Sequence, residues 1–250
     1  VALCGVVVVW LKEKIREWTF AACTVGIVVI DLLIVSSKYV DPKPSSDLEQ
    51  NFRPDATVAF LQQQPGRFRV FPLGPQLFMD NTYAYHGLES IGGYSPAKLK
   101  IYQTMLDSCM YQGADPQFPL NMNIVNMLNV EYLLVPGTLP EGKFPLVHSD
   151  PVRRVVTYRN PGALPRVFFV DTAITATTDL ATFRVLNDPT FNAARMAVLN
   201  TNLPQPVTPV DSTHKPVILS FASREITIRT ETAGAALLVV SEIYYPAGWR

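Results

Sequence analysis

Cysteine is scarce in this sequence, and its placement limits the chemistry that the chain can support. The 250 residues contain three cysteines, too few for a disulfide-stabilised scaffold. Cys4 and Cys23 lie in apolar segments near the start, which leaves Cys109 alone in the rest of the chain. The three histidines stand far apart, and no Cys/His spacing resembles a zinc motif. We therefore predict no internal disulfide in that part and no bound metal.

Charged residues are also few. They make up 17% of the chain, whereas an ordinary soluble domain has about 25%. The 21 Lys and Arg are balanced by 21 Asp and Glu, so bulk charge does not indicate a nucleic-acid partner. Hydrophobic residues reach 48%, which excludes a disordered chain. The GxSxG, P-loop and Rossmann motifs are missing, which removes the usual evidence for three soluble enzyme classes, and no cofactor is predicted.

Two long apolar segments lie within the first forty residues. Residues 1–10 lack the Met, the basic region and the cleavage site of a signal peptide, so we expect a truncated membrane helix there. Residues 18–37 carry one charge, Asp31, and twenty helical residues span about 30 Å, the thickness of a bilayer core. The sequence thus predicts one or two transmembrane helices over residues 1–40. The alternative is a helical hairpin buried in a soluble α+β protein.

The short loop between these segments predicts their orientation. Residues 12–16 hold three basic side chains, which favours the cytoplasm by the positive-inside rule and places the chain after about residue 40 on the extracytoplasmic side. A carboxylate such as Asp31 costs roughly 2.5–3.5 kcal/mol at the bilayer centre. We expect Asp31 to face a polar group on another helix, either as a packing contact or as part of a substrate channel.

The rest of the chain predicts an α+β fold with a polar linker, an α+β subdomain and a β-rich, mostly antiparallel subdomain. These parts cover residues 41–53, 54–150 and 151–250. Ser95 is a good N-cap, so a helix is expected to start at Pro96 and run to Met110. The other predicted elements are helices at 54–64, 120–129 and within 178–199, strands at 67–73, 131–135, 152–159, 166–175, 217–222, 225–232 and 236–245, and a loop at 74–94.

Four motifs in order carry a resemblance to a known family. They are SIGGYSPAKLKIYQ at 90–103, NMLNVEYLLVP at 126–136, LPRVFFV at 164–170 and LLVVSEIYYPAGWR at 237–250. In this order and spacing the chain resembles the C-terminal portion of the bacterial YfhO-like integral membrane proteins, from about residue 31 onward. Members of that family are polytopic and similar to GT-C glycosyltransferases, which take sugar from a polyprenyl-phosphate carrier outside the cytoplasmic membrane.

The resemblance implies a function shared between this chain and other parts of a larger protein. It places the catalytic acid in a loop near the family N-terminus, so catalytic residues are not expected here. The implied partners are membrane lipids, polyprenyl-phosphate-linked sugar and a cell-envelope glycan. We expect this part to bind or position substrate in the bacterial cytoplasmic membrane. The alternative is a non-catalytic, membrane-anchored glycan-binding or envelope-assembly module.

The GGYSPAK segment is the first candidate binding site. Gly92 and Gly93 permit close backbone approach, and the free N–H groups of the predicted following helix can receive an anion. Lys98 and Lys100 add positive charge, and Tyr94 offers a ring that can stack on a sugar. A lipid phosphate, a pyrophosphate or a polyanionic acceptor would fit this composition. An ordinary Gly-Gly turn with two solvated lysines is the alternative.

The segment at 82–90 is the second candidate. It brings Tyr85, His86 and Glu89 close together in sequence, and aromatic plus carboxylate side chains are common in sugar sites. His86 and Glu89 are candidates for an acid and a base. A packed aromatic loop is the alternative.

Overall fold

A computed structural model describes residues 2–40, 44–211, 213–245 and 247–249. The chain divides into two compact units, one up to residue 53 and one from residue 54 onward. The helices are α1 Ala2–Leu11, α2 Glu17–Tyr39, α3 Ser45–Asn51, α4 Ala56–Gln62, α5 Pro75–Phe78, α6 Thr82–Tyr85, α7 Lys100–Cys109, α8 Met122–Met127 and α9 Asp179–Leu186. The strands are β1 Arg69–Pro72, β2 Glu89–Ser90, β3 Val130–Pro136, β4 Leu146–Asp150, β5 Val155–Arg159, β6 Val167–Val170, β7 Thr172–Thr175, β8 Met196–Leu199, β9 Val217–Ala222, β10 Glu225–Arg229 and β11 Leu237–Val240.

The first unit is dominated by α2. By length and composition, its 23 residues are long and apolar enough to cross a membrane, which fits a membrane anchor or a signal sequence. None of its residues is buried in the described structure, which differs from the buried hairpin of the soluble alternative. Trp10 stacks on Phe20 with ring centroids 4.8 Å apart, which joins α1 to α2. Asp31 lies exposed on α2, and its pairing with another helix stays a prediction.

The segment predicted as a linker contains α3. Residues 41–43 of that segment lie outside the described residues. After Pro44 the chain has neither proline nor glycine up to residue 53, so nothing in this stretch prevents a helical turn.

The second unit is built on a five-stranded mixed sheet in the order β2-β1-β3-β5-β4. Strands β2, β1 and β3 are parallel, and β5 runs antiparallel to both β3 and β4. All four residues of β1 are buried, as expected for a strand covered on both faces. The subdomain boundary predicted at residue 150 falls between β4 and β5, which are paired strands of this one sheet.

The two faces of this sheet carry separate apolar cores. Successive side chains of a strand point to opposite faces. Val70 and Leu134 accordingly join one cluster with Val58 and Leu61 of α4, whereas Phe71 and the neighbouring Leu133 join a larger cluster with α7 and α8. The sheet is therefore the rigid support on which the loops around β1 and β2 are held.

The predicted α+β class is confirmed, with corrections in the C-terminal part. Strand pairs β6/β11 and β9/β10 are antiparallel as expected, but β7 and β8 are parallel. The predicted strand at 166–175 is divided into β6 and β7 at Asp171, whose N–H donates to the carbonyl of Arg195 at 2.9 Å. The region at 178–199 holds α9 and then β8 instead of a second helix. The loop predicted at 74–94 also contains the short helices α5 and α6 and the strand β2.

Candidate functional site

The Gly-Gly pair of the first candidate segment packs against the segment that follows β1. A Cβ on Gly92 would lie 2.5 Å from the carbonyl oxygen of Phe78, and the Gly93 N–H donates to that oxygen at 2.6 Å. Asn81 holds the next residue from both sides. Its Nδ2 donates to the Tyr94 carbonyl at 3.0 Å, and its Oδ1 accepts from the Tyr94 N–H at 2.8 Å. Both glycines thus serve close internal packing.

The helix predicted to start at Pro96 starts at Lys100 instead, which is a correction. The Ser95 hydroxyl accepts from the Ala97 N–H at 3.3 Å in a local turn, so this side chain stabilises a turn instead of capping a helix. The anion site expected at a helix start after Gly93 is therefore not formed there. Tyr94, Lys98 and Lys100 are exposed side chains on this segment.

The residues of the second candidate segment do not all lie on one surface. Tyr85 is exposed and meets the His86 ring edge-on at 5.1 Å between centroids. His86 and Glu89 line a concave surface at the start of β1, and this surface encloses a pocket volume of about 300 Å³. We call this surface the polar groove. Its lining residues are Leu61, Gln62, Gln64, Gly66, Arg67, Phe68, His86, Gly87, Leu88 and Glu89.

The polar groove contains hydrogen-bonding residues that the sequence did not identify. Gln62 and Gln64 come from the end of α4 and the turn after it, and Arg67 follows that turn. The Gln62 side-chain amide donates to the His86 carbonyl at 3.1 Å, which holds the two sides of the groove together. The Nε2 atom of His86 is buried and has no hydrogen-bond partner within the described ranges.

Glu89 is held by several arginines. Its Oε1 accepts from Arg67 Nη1 at 2.7 Å, its Oε2 accepts from Arg166, and Arg69 Nε lies 3.5 Å from Oε2. Partial burial alone would raise the pKa of Glu89, but the charge of Arg166 and hydrogen bonds from Arg166 and Arg67 outweigh it, and the pKa is lowered. A general base works best with a pKa near the working pH. The structure therefore favours Glu89 as a fixed anionic acceptor over an acid or base.

These contacts belong to a larger cluster that we call the ion network, formed by Arg67, Arg69, Glu89, Arg166 and Glu242. Arg69 Nη2 lies 3.2 Å from Glu242 Oε2, and Arg166 Nη1 lies 3.3 Å from Glu242 Oε1. Burial, together with the charge of Arg166, lowers the pKa of Arg69. Burying charges costs free energy, and the hydrogen bonds between members of the network offset that cost.

Ser241 and two backbone carbonyls add further hydrogen bonds to the network. The Ser241 hydroxyl accepts from Arg69 at 3.3 Å and donates to the Met127 carbonyl at 2.6 Å. Arg69 Nη1 also donates to the Leu128 carbonyl at 3.0 Å. The sequence contained one signal for this site, namely arginines inside the apolar runs RFRVFPL and LPRVFFV, where a buried charge requires a partner.

The structure brings only part of the predicted site together. Of the eight predicted binding residues, His86 and Glu89 line the polar groove, whereas Tyr85, Tyr94, Lys98 and Lys100 do not, and the two glycines support a turn. Among the described residues, no group of three or more His, Cys, Asp or Glu side chains is placed to hold a metal ion. The chain matches no protein-family model, no curated protein and no solved structure.

Proposed function

We propose that this chain is the glycan-binding C-terminal part of a YfhO-like, GT-C-related membrane protein that transfers sugar from a polyprenyl-phosphate carrier. The polar groove is the observation that carries the proposal. Its amide, guanidinium, imidazole and carboxylate groups offer both donors and acceptors, which sugar hydroxyls require. Its volume of about 300 Å³ is at the lower end for small-molecule pockets, which suits one or two sugar units.

The state of Glu89 supports a binding role for this part of the protein. A carboxylate held by Arg67 and Arg166 stays anionic at neutral pH and accepts hydrogen bonds from hydroxyl groups. The helix α2 supplies a candidate anchor at a membrane, where a lipid-linked donor would lie. The four motifs support the link to the YfhO-like family, and the resemblance assigns catalysis to another part of such proteins.

Glycan binding can be tested with the full chain reconstituted in lipid nanodiscs. An array of bacterial envelope oligosaccharides identifies a ligand, and calorimetry then measures its affinity. We expect Gln62→Ala to weaken binding about three- to tenfold, in line with about 0.5–1.5 kcal/mol for a hydrogen bond. Gln63→Ala is the matched control, because Gln63 is exposed on the same helix end but outside the groove. Equal affinities of the two variants would reject the groove as the site.

The non-catalytic module is the second candidate function, and the anionic state of Glu89 fits it equally well. Membranes that contain the gene's complete product can be supplied with labelled polyprenyl-phosphate sugar. Transfer of label that falls when Gln62 is replaced supports the transferase. Glycan binding without any transfer selects the anchored binding module.

A further inference from the structure

An exposed segment with apolar and basic side chains follows the Gly-Gly turn and takes no part in the polar groove. Residues 94–101, YSPAKLKI, are all exposed, and we call them the basic segment. The segment ends in the first turn of α7. Tyr94 and Ile101 are each 60% exposed, and Leu99 is 37% exposed. Three large apolar or aromatic side chains thus face solvent within one short stretch of chain.

These side chains are not needed for the core of the second unit. Helix α7 buries Leu106 and Cys109, which lie further along it, whereas Ile101 in its first turn stays at the surface. Large apolar side chains that are exposed together often mark a surface that binds a membrane or another protein. The basic segment is therefore a candidate interaction surface.

The fold holds the start of the basic segment in place. The side chain of Asn81 bonds to both the N–H and the carbonyl of Tyr94. The Ser95 hydroxyl accepts from the Ala97 N–H, which adds a local turn. Because the backbone is already held in this way, little further ordering is required when the segment binds a partner.

The basic segment carries positive charge that its own residues do not neutralise. Lys98 and Lys100 are its charged residues, because residues 94–101 contain no Asp or Glu. Within the described ranges neither lysine forms an ion pair, whereas Lys143 is paired with Asp115. The segment therefore presents two ammonium groups next to apolar side chains.

This combination matches the surface of a membrane that contains anionic lipids. Such a membrane offers negative headgroups to lysine side chains and an apolar layer to tyrosine, leucine and isoleucine side chains. Helix α2 is the second argument, because a helix that spans a bilayer keeps the rest of its chain close to that bilayer. The connection over residues 40–53 reaches at most about 50 Å when fully extended.

We propose that the basic segment docks on the anionic lipid surface of the membrane in which α2 is anchored. Tyr94, Leu99 and Ile101 enter the headgroup layer, and Lys98 and Lys100 bind lipid phosphate groups. Docking holds this face of the second unit at the bilayer. The inference goes beyond the proposed function, because it concerns the bilayer itself and does not depend on a glycan in the polar groove.

The test measures how strongly spin-labelled lipids quench a fluorescent label on the full chain in nanodiscs. Ala97→Cys carries a nitrobenzoxadiazole label, in a background in which Cys4 and Cys23 are changed to Ser and Cys109 stays buried. Ser149→Cys is the matched label site, because it is also small and exposed but lies on β4, at the opposite edge of the five-stranded sheet from β2. With about 30% phosphatidylglycerol in phosphatidylcholine discs, we expect quenching at position 97 to exceed that at position 149 by about threefold or more.

A pair of substitutions tests the charge of the segment. Lys98→Gln combined with Lys100→Gln should lower the ratio of docked to free segment about tenfold, because each lysine near an anionic surface adds attraction. Lys215→Gln combined with Arg224→Gln is the matched control. Both of these side chains are exposed, basic and outside the ion pairs of the described residues, so their loss should leave the quenching unchanged.

A further variant tests the apolar contact. Ile101→Ser should lower the ratio of docked to free segment about threefold, because a polar side chain gains less from entering the headgroup layer. Thermal unfolding of each variant shows whether the fold is retained, and the exposed lysine pair keeps the test valid if Ile101→Ser unfolds.

The outcomes separate the membrane from other partners. Equal quenching at positions 97 and 149 would overturn the proposal, and so would quenching at position 97 that the lysine pair leaves unchanged or that is equally strong without phosphatidylglycerol. A label at position 97 that is shielded from water but not quenched by lipid would overturn it in favour of a protein partner, such as a second copy of the chain. Failure of the chain to enter nanodiscs would also overturn it, because the anchor would be missing. Absence of glycan binding would leave the quenching unaffected, so this inference and the proposed function fail separately.

Discussion

Arg166 shows how a single buried charge can be more important to the fold than its neighbours. Its side chain is 3% exposed and contacts both Glu89 and Glu242. We expect Arg166→Met to lower the free energy of unfolding by about 3–5 kcal/mol, because the two carboxylates and Arg69 stay behind with an incomplete set of partners. Urea unfolding followed by near-ultraviolet circular dichroism measures this loss.

Arg195 provides the comparison at the same scale. Its side chain is 71% exposed and donates from Nε to Asp171 at 2.8 Å. Exposed ion pairs contribute little, so Arg195→Met should cost about 1 kcal/mol or less. Losses of equal size in the two variants would contradict the view that Arg166 is fixed by burial and that Arg195 is not.

At the scale of elements, a membrane-spanning α2 leads us to predict that the second unit lies on the extracytoplasmic side of the membrane. Val152 is 91% exposed and Lys12 is in the short turn before α2. In intact cells, a membrane-impermeant maleimide should label Val152→Cys at once and Lys12→Cys only after permeabilisation. Cys109 is buried, and desolvation raises its thiol pKa to about 11, so it should stay unreactive after Cys4 and Cys23 are changed to Ser.

The reverse labelling pattern would reject the extracytoplasmic placement of the second unit. Recovery of the protein in the medium, without membrane association, would instead identify α2 as a signal sequence. Thr190→Cys, made in the same background without Cys4 and Cys23, is a control at a second exposed site of the same unit. Its labelling should follow that of Val152→Cys.

The sequence predicts well those elements that a local pattern specifies, such as an apolar run or a helix cap. It predicts poorly the elements whose ends depend on which of two local hydrogen bonds a side chain makes. Strands β1, β3 and β5 follow apolar runs, and α4 and α8 follow capping residues that do accept backbone hydrogen bonds, Asp55 and Asn121. Ser95 is also a residue type that commonly caps helices, but its hydroxyl stabilises a turn and the helix begins at Lys100. A sequence pattern cannot decide between these two uses of one hydroxyl.

The candidate site was less predictable because its parts are far apart in the chain. Glu89 and Arg166 are 77 positions apart, and Arg69 and Glu242 are 173 positions apart. Only the sheet order and the pairing of β6 with β11 bring these residues together. The sequence could identify His86 and Glu89 as polar residues in one loop, but it could not show that Glu89 is committed to arginines.

At the scale of the whole second unit, the ion network ties the start of the sheet to the end of the chain. It connects β1 and β2 with the residue before β6 and with Glu242, which follows β11. These segments are otherwise linked through different sheets, because β6 and β11 form a separate pair. A change of charge in the network should therefore loosen the unit as a whole.

Low pH changes the charge of the ion network by protonating Glu89, and the pKa of Glu89 decides whether stability rises or falls. The folded-state pKa of Glu89 is lowered from its ordinary value of 4.5. Its stabilisation is therefore fully present above about pH 4.5 and is lost as the pH falls through the lower folded-state pKa. We expect the melting temperature of the wild-type chain to decrease between pH 5 and pH 3, and the decrease to be smaller in Glu89→Gln, which is already less stable at pH 7. Glu141→Gln, at an exposed residue outside the network, should keep the wild-type decrease. An acid dependence in Glu89→Gln as steep as that of the wild type would show that the network does not couple these segments.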